Sequence, residues 1–249
     1  MIASRPGSSA PRDYRNARRQ TIDLATVLRL YRTHAEALGA ARDAQRGMLC
    51  VSRGMRPKLD DIEAELTYLL VRDAKPARVV EIGTFHGWST SWLLRAVADN
   101  ATGHLDSYDI VDHVLRTIPG DLSGDRWTFH RGDVRARADL QPSTINYLFI
   151  DAAHTARFAR WYTHNLLDNV RAGTPVTVHD VFHRARTRRF SEGRVVLDWL
   201  AQRNISYFTA SAKAAPHVYE EILAVRRSLG LSEAVHKLSP NPMIYFTTR

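Results

Sequence analysis

With 249 residues, 44% of them hydrophobic and 24% charged, the chain can bury a full core and falls in the size range of one α/β domain. Its single cysteine, Cys50, excludes an intrachain disulfide and a thiolate metal cluster, and argues against a cysteine nucleophile. The formal charge of +9 leaves a polyanionic partner open, although solvated surface is the commoner reason for such an excess.

The N-terminal stretch, with Arg5, Arg12, Arg15, Arg18 and Arg19, lacks the apolar centre of a secretory signal and reads as a basic disordered tail over residues 1–20. No apolar run approaches the roughly 20 residues of a spanning helix. A cytoplasmic protein with no membrane association is expected. From Thr21 to about Met48, Leu24, Val27, Leu28, Leu30 and Tyr31 recur at helical spacing without proline, predicting one or two helices. After Pro57, Ile62, Leu66, Leu69 and Leu70 predict another over Leu59 to Arg72, with Asp60 and Asp61 at its start where the helix dipole favours acid. Residues 21–75 thus form an N-terminal helical extension, whose Ala-rich half suggests close packing and a homo-oligomer.

From residue 76 to 249 the pattern becomes short apolar runs alternating with helical stretches, the mark of β-α units and a mostly parallel sheet. Seven strands are predicted: Arg78 to Ile82, His104 to Tyr108, Trp127 to Arg131, Ile145 to Ile150, Pro175 to His179, Ser206 to Ala210 and Met243 to Thr247. Helices fit over Ser89 to Asp99, Thr155 to Asn169, Gly193 to Arg203 and His217 to Leu229. The expected fold is α/β and Rossmann-like, with helices on both faces of the sheet.

The strongest local signal is Val79-Val80-Glu81-Ile82-Gly83-Thr84-Phe85-His86-Gly87-Trp88-Ser89-Thr90, a buried strand running into a glycine turn and a helix. Open parallel sheets bind ligands at such strand ends. Gly83 and Gly87 permit a tight turn and close approach of a ligand, and Ser89 or Thr90 can cap the helix. A dinucleotide fingerprint would need glycine where Phe85 and Trp88 stand, which demotes NAD.

Glu81-x-Gly83-x-x-x-Gly87 resembles the first motif of class I S-adenosylmethionine-dependent methyltransferases. The resemblance implies S-adenosylmethionine as cofactor and an antiparallel last strand. It implies a cofactor site of Glu81, Gly83, Thr84, Phe85, Gly87, Ser89, Thr90, Asp109, Gly132, Asp133 and Asp151. Asp109, ending the second strand, would bond both ribose hydroxyls, as one carboxylate can accept from two neighbours. Asp133, after Gly132 at the third strand's end, would meet the adenine amino group.

Strand four ends in Phe149-Ile150-Asp151-Ala152-Ala153-His154 and strand five in Val178-His179-Asp180. Over about Pro57 to Phe246 the chain resembles the methyltransferase domain 24-like group of small-molecule O-methyltransferases, related to macrocin O-methyltransferase and cephalosporin hydroxylase. Catechol O-methyltransferase is a more distant likeness. In that group an aspartate placed like Asp151 and an acidic pair after strand five bind magnesium, and a histidine placed like His154 serves as base. His179 stands where an acidic ligand is expected, so metal dependence is open. If a metal binds, Asp151, His179 and Asp180 are the expected ligands, and the imidazole would tilt preference from magnesium toward manganese, iron or zinc. Strand alternation would turn His179 and Asp180 to opposite faces unless the strand has already ended.

The expected reaction is in-line methyl transfer to a small-molecule hydroxyl, on a secondary metabolite or sugar, with Asp151 and His154 catalytic. The run Arg184, Arg186, Arg188, Arg189 is either an anion clamp for the acceptor or a solvated loop. Trp161 and Tyr162 could line the acceptor pocket. Methylation of RNA is the competing reading, but it rests on charge alone: an Asn-Pro-Pro-Tyr-like motif, a catalytic cysteine and a separate RNA module are all missing. A third reading is a non-catalytic S-adenosylmethionine-binding protein.

Overall fold

The computed structural model describes residues 21–236 and 243–249. The predicted tail over residues 1–20 lies outside the described residues. The described residues begin with two helices, α1 (Leu24–Thr33) and α2 (Ala35–Val51), divided at His34. Next comes α3 (Asp61–Ala74), which starts in a reciprocal capping box. Asp60 accepts from the Glu63 backbone N–H, and the Glu63 carboxylate accepts from the Asp60 N–H, so two otherwise orphaned donors are satisfied.

The alternating part follows as β1 (Arg78–Ile82), α4 (Trp88–Asp99), β2 (His104–Asp109), the single-turn α5 (Gly120–Ser123) and β3 (Trp127–Arg131). It continues as β4 (Tyr147–Ile150), α6 (Ala156–Tyr162), β5 (Pro175–Val178), α7 (Glu192–Gln202), β6 (Tyr207–Phe208), α8 (Pro216–Ser228) and β7 (Ile244–Thr247). The sheet runs β3-β2-β1-β4-β5-β7-β6, parallel from β3 to β5. The last strand is antiparallel to both neighbours, inserted between β5 and β6.

Boundaries differ from the predicted ones where local chemistry intervenes. β4 begins at Tyr147, two residues late, because Pro142–Thr144 forms a 3-10 turn and the Asn146 side chain accepts from the Arg78 N–H. The helix predicted over Thr155 to Asn169 is α6 continued by one π-turn, Thr163–Leu167. β6 keeps only two residues as an edge strand.

The length suggested a single core, but the sheet divides the apolar interior in two. On one face Val79, Leu105, Tyr147, Phe149 and Tyr245 pack with Tyr31, Leu38, Leu66, Trp92 and Ile222 of α1 to α4 and α8. Alternate residues Val80, Ile82, Leu148, Ile150 and Val178 face Phe158, Tyr162, Val196 and Leu200 of α6 and α7. The N-terminal helices therefore share a core with the sheet. Ala41 and Met48, in the Ala-rich segment expected to pair subunits, are buried within this chain. A buried ionic knot ties the same layer: Glu65 accepts from Tyr31 Oη at 2.8 Å, pairs with Arg226 at 2.8 Å and meets Arg42. Among the described residues no helix is long and apolar enough to cross a membrane.

Candidate functional site

A cavity of about 890 Å³ runs along the C-terminal ends of the parallel strands. That volume is within the range of small-molecule sites. Gly83, Phe85, Asp109, Ile110, Gly132 and Asp133 line one end, and Asp151, His154, Phe158, His179, Asp180 and His183 line the other.

The glycine loop is shaped by its own chain. Gly83 has φ 90°, and a Cβ there would lie 1.7 Å from the Asp151 carbonyl oxygen. The close approach that requires glycine is thus to the neighbouring strand end, not to a ligand. Phe85, also left-handed at φ 45°, is held by Asp109, whose Oδ2 accepts from the backbone N–H groups of Thr84 (2.7 Å) and Phe85 (2.8 Å). One carboxylate therefore fixes the loop while facing the cavity.

Glu81, Thr84, Gly87, Ser89 and Thr90 are not among the cavity-lining residues. Glu81 is fully buried and accepts from Ser89, Thr90 and Ser107 at 2.6–3.1 Å. Burial pushes its carboxyl up to about 7 against the pull of those hydroxyls, with the Asp109 charge adding to the rise. Neither Ser89 nor Thr90 caps the helix: α4 starts at Trp88 with Gly87 as an uncapped N-cap, because both hydroxyls are spent on Glu81. At the third strand end, Asp133 reaches the cavity but accepts from Arg135 through backbone and guanidinium.

At the opposite end, four side chains from two adjacent strand ends converge. His179 Nδ1 lies 3.1 Å from Asp151 Oδ1 and 3.3 Å from Asp180 Oδ1. His154 Nε2 lies 3.3 Å from Asp151 Oδ1 and 3.2 Å from Asp180 Oδ2. His179 and Asp180 both turn inward because β5 has ended at Val178 and Asp180 is left-handed at φ 58°, so alternation no longer applies. His154 is left-handed too, at φ 30°. Such strain in non-glycine residues collects at functional sites.

Burial alone would raise the Asp151 pKa, but the adjacent His179 and His154 outweigh it and hold the carboxyl well below the usual range. For His154 burial opposes the charge, yet Asp151, Glu192 and Asp180 raise it to about 10. His179 is likewise raised against burial by Asp151 and Glu63.

Two carboxylates that sequence reading missed complete the surroundings. Glu192, 3% exposed, puts Oε2 3.1 Å from His154 Nδ1 and accepts from Tyr162 Oη through Oε1 at 2.9 Å. An isolated bridge between Thr155 and Ser191, the N-caps of α6 and α7, brings it there. Its only local signal was an acid in the first turn of a helix, which the dipole favours anywhere. Glu63, in the capping box of α3, lies 3.7 Å from His179 Nε2. Neither Trp161 nor Tyr162 lines the cavity; Tyr162 is fully buried, and Phe158 takes that place. Arg184, Arg186, Arg188 and Arg189 are exposed and outside the lining, to which that stretch contributes His183.

Residues 80–181 match a family model described as a methyltransferase domain. No curated protein matches the sequence. Among solved structures, the O-methyltransferase TomG from Streptomyces achromogenes, involved in tomaymycin synthesis and in complex with SAM, is similar at 18% identity and a TM-score of 0.51, over 86% of this chain and 90% of that one. An O-methyltransferase from Bacillus cereus in complex with SAH is similar at 12% identity and a TM-score of 0.53, over 91% and 100%. The SAH-bound methyltransferase PaMTH1 from Podospora anserina is similar at 14% identity and a TM-score of 0.51, over 98% and 100%. At these identities the likeness carries the fold. Residues 80–181 thus resemble a methyltransferase domain, and the chain has the Rossmann-like fold of these solved methyltransferases.

Proposed function

We propose that this protein is an O-methyltransferase that binds S-adenosylmethionine at the Gly83–Asp133 end of the cavity and a small-molecule hydroxyl at the Asp151–Asp180 end. The observation that carries this reading is the continuity of one cavity from the glycine loop to the Asp151, His154, His179 and Asp180 cluster. Such a cleft holds donor and acceptor in line, and proximity alone lowers much of the barrier to a bimolecular displacement.

Within this reading Asp109 contributes Oδ1 to the ribose and Oδ2 to the loop, Gly132 and Asp133 flank the adenine, and Phe85 and Ile110 supply apolar cover. Glu81, Thr84, Gly87, Ser89 and Thr90 act at one remove, by shaping the loop and the start of α4. S-adenosylmethionine supplies the methyl group, and the acceptor hydroxyl must lose a proton. With its pKa near 10, His154 is an imidazolium at neutral pH when no cation is bound beside it. It must therefore give up its own proton before it can take the one from the acceptor hydroxyl.

The residues also fit a divalent cation. His179 is 5% exposed and lines the cavity, with its ring nitrogens beside carboxylates at 3.1–3.7 Å but without an aligned hydrogen bond. Asp151 and His179, joined by His154 or Asp180, would hold the ion, and bound there it would lower the pKa of the acceptor hydroxyl.

The test is calorimetric titration with S-adenosylmethionine and, separately, NAD, on chelator-treated protein, followed by Asp109→Asn. Micromolar binding of S-adenosylmethionine alone, weakened roughly 10- to 100-fold in the variant by loss of charge-assisted hydrogen bonds, is expected. Absence of binding, or preference for NAD, would overturn the reading. Methyl incorporation from labelled cofactor into phenolic and sugar hydroxyls, with RNA in parallel, then separates the acceptor classes.

A further inference from the structure

We propose that Asp151, His154 and His179 form a two-imidazole, one-carboxylate centre that takes a first-row transition-metal dication and discriminates against magnesium. The magnesium set implied by the family resemblance is acidic. Here His179 replaces one acid, and His154, expected as a base, stands among the ligands. One potential ligand atom from each of the three residues lies within 4.8 Å of the other two. Asp180 lies alongside, within 3.3 Å of both imidazoles.

A second, independent observation points to a ligand. His179 is buried at 5% exposure and lines the cavity, and its ring nitrogens lie 3.1–3.7 Å from the carboxylates of Asp151, Asp180 and Glu63 without an aligned hydrogen bond to any of them. A buried polar group left in this way is uncommon and calls for a bound ion or water. The outer contacts also suit coordination. The inward nitrogens are His154 Nε2 and His179 Nδ1, and behind them Glu192 stands 3.1 Å from His154 Nδ1 and Glu63 3.7 Å from His179 Nε2. A carboxylate behind each metal-bound imidazole fixes its orientation and raises its basicity. Four carboxylates around two imidazoles leave a negative surplus that a dication neutralises.

Donor chemistry selects the ion. Magnesium requires near-octahedral oxygen ligands and gives up water reluctantly, whereas imidazole suits manganese, iron, cobalt and zinc. The centre shares the cleft of the proposed methyl transfer but does not depend on it, because binding can be measured without cofactor or acceptor.

The experiment uses the full chain, stripped with chelator and titrated with zinc, manganese, cobalt and magnesium by calorimetry, with visible absorption of the cobalt form as an independent readout. One equivalent of zinc or cobalt is expected to bind on the order of 100-fold or more tightly than magnesium, with cobalt bands that show nitrogen ligation. His154→Ala and His179→Asn should each weaken zinc, and Glu192→Gln should do so roughly 10- to 100-fold, as loss of an outer-shell partner does elsewhere. His179→Asp should recover magnesium at the expense of zinc, which keeps the test open if another variant folds poorly. A control, His86→Ala, removes one of the stacked pair His86 and His113 and should leave affinity unchanged.

Magnesium binding as tightly as zinc, no stoichiometric binding, or zinc binding indifferent to His154→Ala and His179→Asn would overturn the proposal. S-adenosylmethionine titration of the same stripped protein keeps the two readings apart. Metal without cofactor binding would leave this centre standing and remove the methyltransferase reading; cofactor without metal binding would do the reverse.

Discussion

Glu192 lies 3.1 Å from His154 Nδ1 across 38 residues of sequence, and its other oxygen accepts from Tyr162. This pair decides which nitrogen of His154 faces the cavity, since Nδ1 is engaged from behind and Nε2 is left toward Asp151 and Asp180. Replacing Glu192 by glutamine removes one of the three carboxylates that raise His154, so its pKa should fall from near 10. The sign follows from linkage. An imidazole raised on folding contributes stability that is full below about 6.5 and is lost as pH rises through about 10, so the variant should lose it at lower pH. NMR titration of the metal-free protein reads the shift, and an unmoved midpoint would dissolve the coupling.

Glu81 carries a dependence of the same sign in a lower pH window. Its carboxyl rises from 4.5 to about 7 on folding, so between those values the folded chain holds a proton that the unfolded chain has released. Stability should therefore fall as pH climbs through that window, by on the order of 3 kcal/mol at about 1.4 kcal/mol per unit. Glu81→Gln, which keeps the shape and stays neutral, should flatten this slope in denaturant titrations between pH 4.5 and 7. An equal slope in both proteins would mean that Glu81 ionises freely in its buried place.

Two glycines at strand ends should respond very differently to alanine. Gly83→Ala places a methyl 1.7 Å from a backbone oxygen at φ 90°, and the loss should exceed about 4 kcal/mol or prevent folding. At Gly132, φ is 128° but no heavy atom stands within 4 Å, so strain alone should cost about 1–3 kcal/mol. Chemical denaturation of both variants measures the contrast, and similar losses would disprove the close approach.

The ionic knot under the sheet makes a stability prediction away from the cavity. Glu65→Ala leaves Arg42 and Arg226, 1% and 7% exposed, without their shared carboxylate. A buried charge deprived of its partner destabilises by about 3–5 kcal/mol. Thermal unfolding should show a large fall in Tm, and a change of a degree or two would indicate that water or Asp61 takes over.

The β-α alternation, the seven strands and the glycine loop were legible because each depends on neighbours in the chain. A buried strand needs a run of apolar residues, and a left-handed turn favours glycine, as at Gly83 and Gly87. Asp109, Asp133 and Asp151 were visible for the same reason, as strand ends are local features. Ser89 and Thr90 were legible as hydroxyls at a helix start but not as partners of Glu81, since a cap and a buried hydrogen bond look alike in one dimension.

Sequence by itself determined that residues after 76 fold as an open α/β sheet and that Asp151, His154, His179 and Asp180 sit at two strand ends. Only the tertiary structure decided that β4 and β5 are neighbours, that β5 ends early enough for His179 and Asp180 to turn inward together, and that α3 and α7 bring Glu63 and Glu192 behind the two imidazoles. The physical reason is range. Backbone propensity and apolar periodicity act over a few residues, whereas the charge around His154 and His179 is set by side chains 38 and 116 positions away, brought close by packing against a shared sheet.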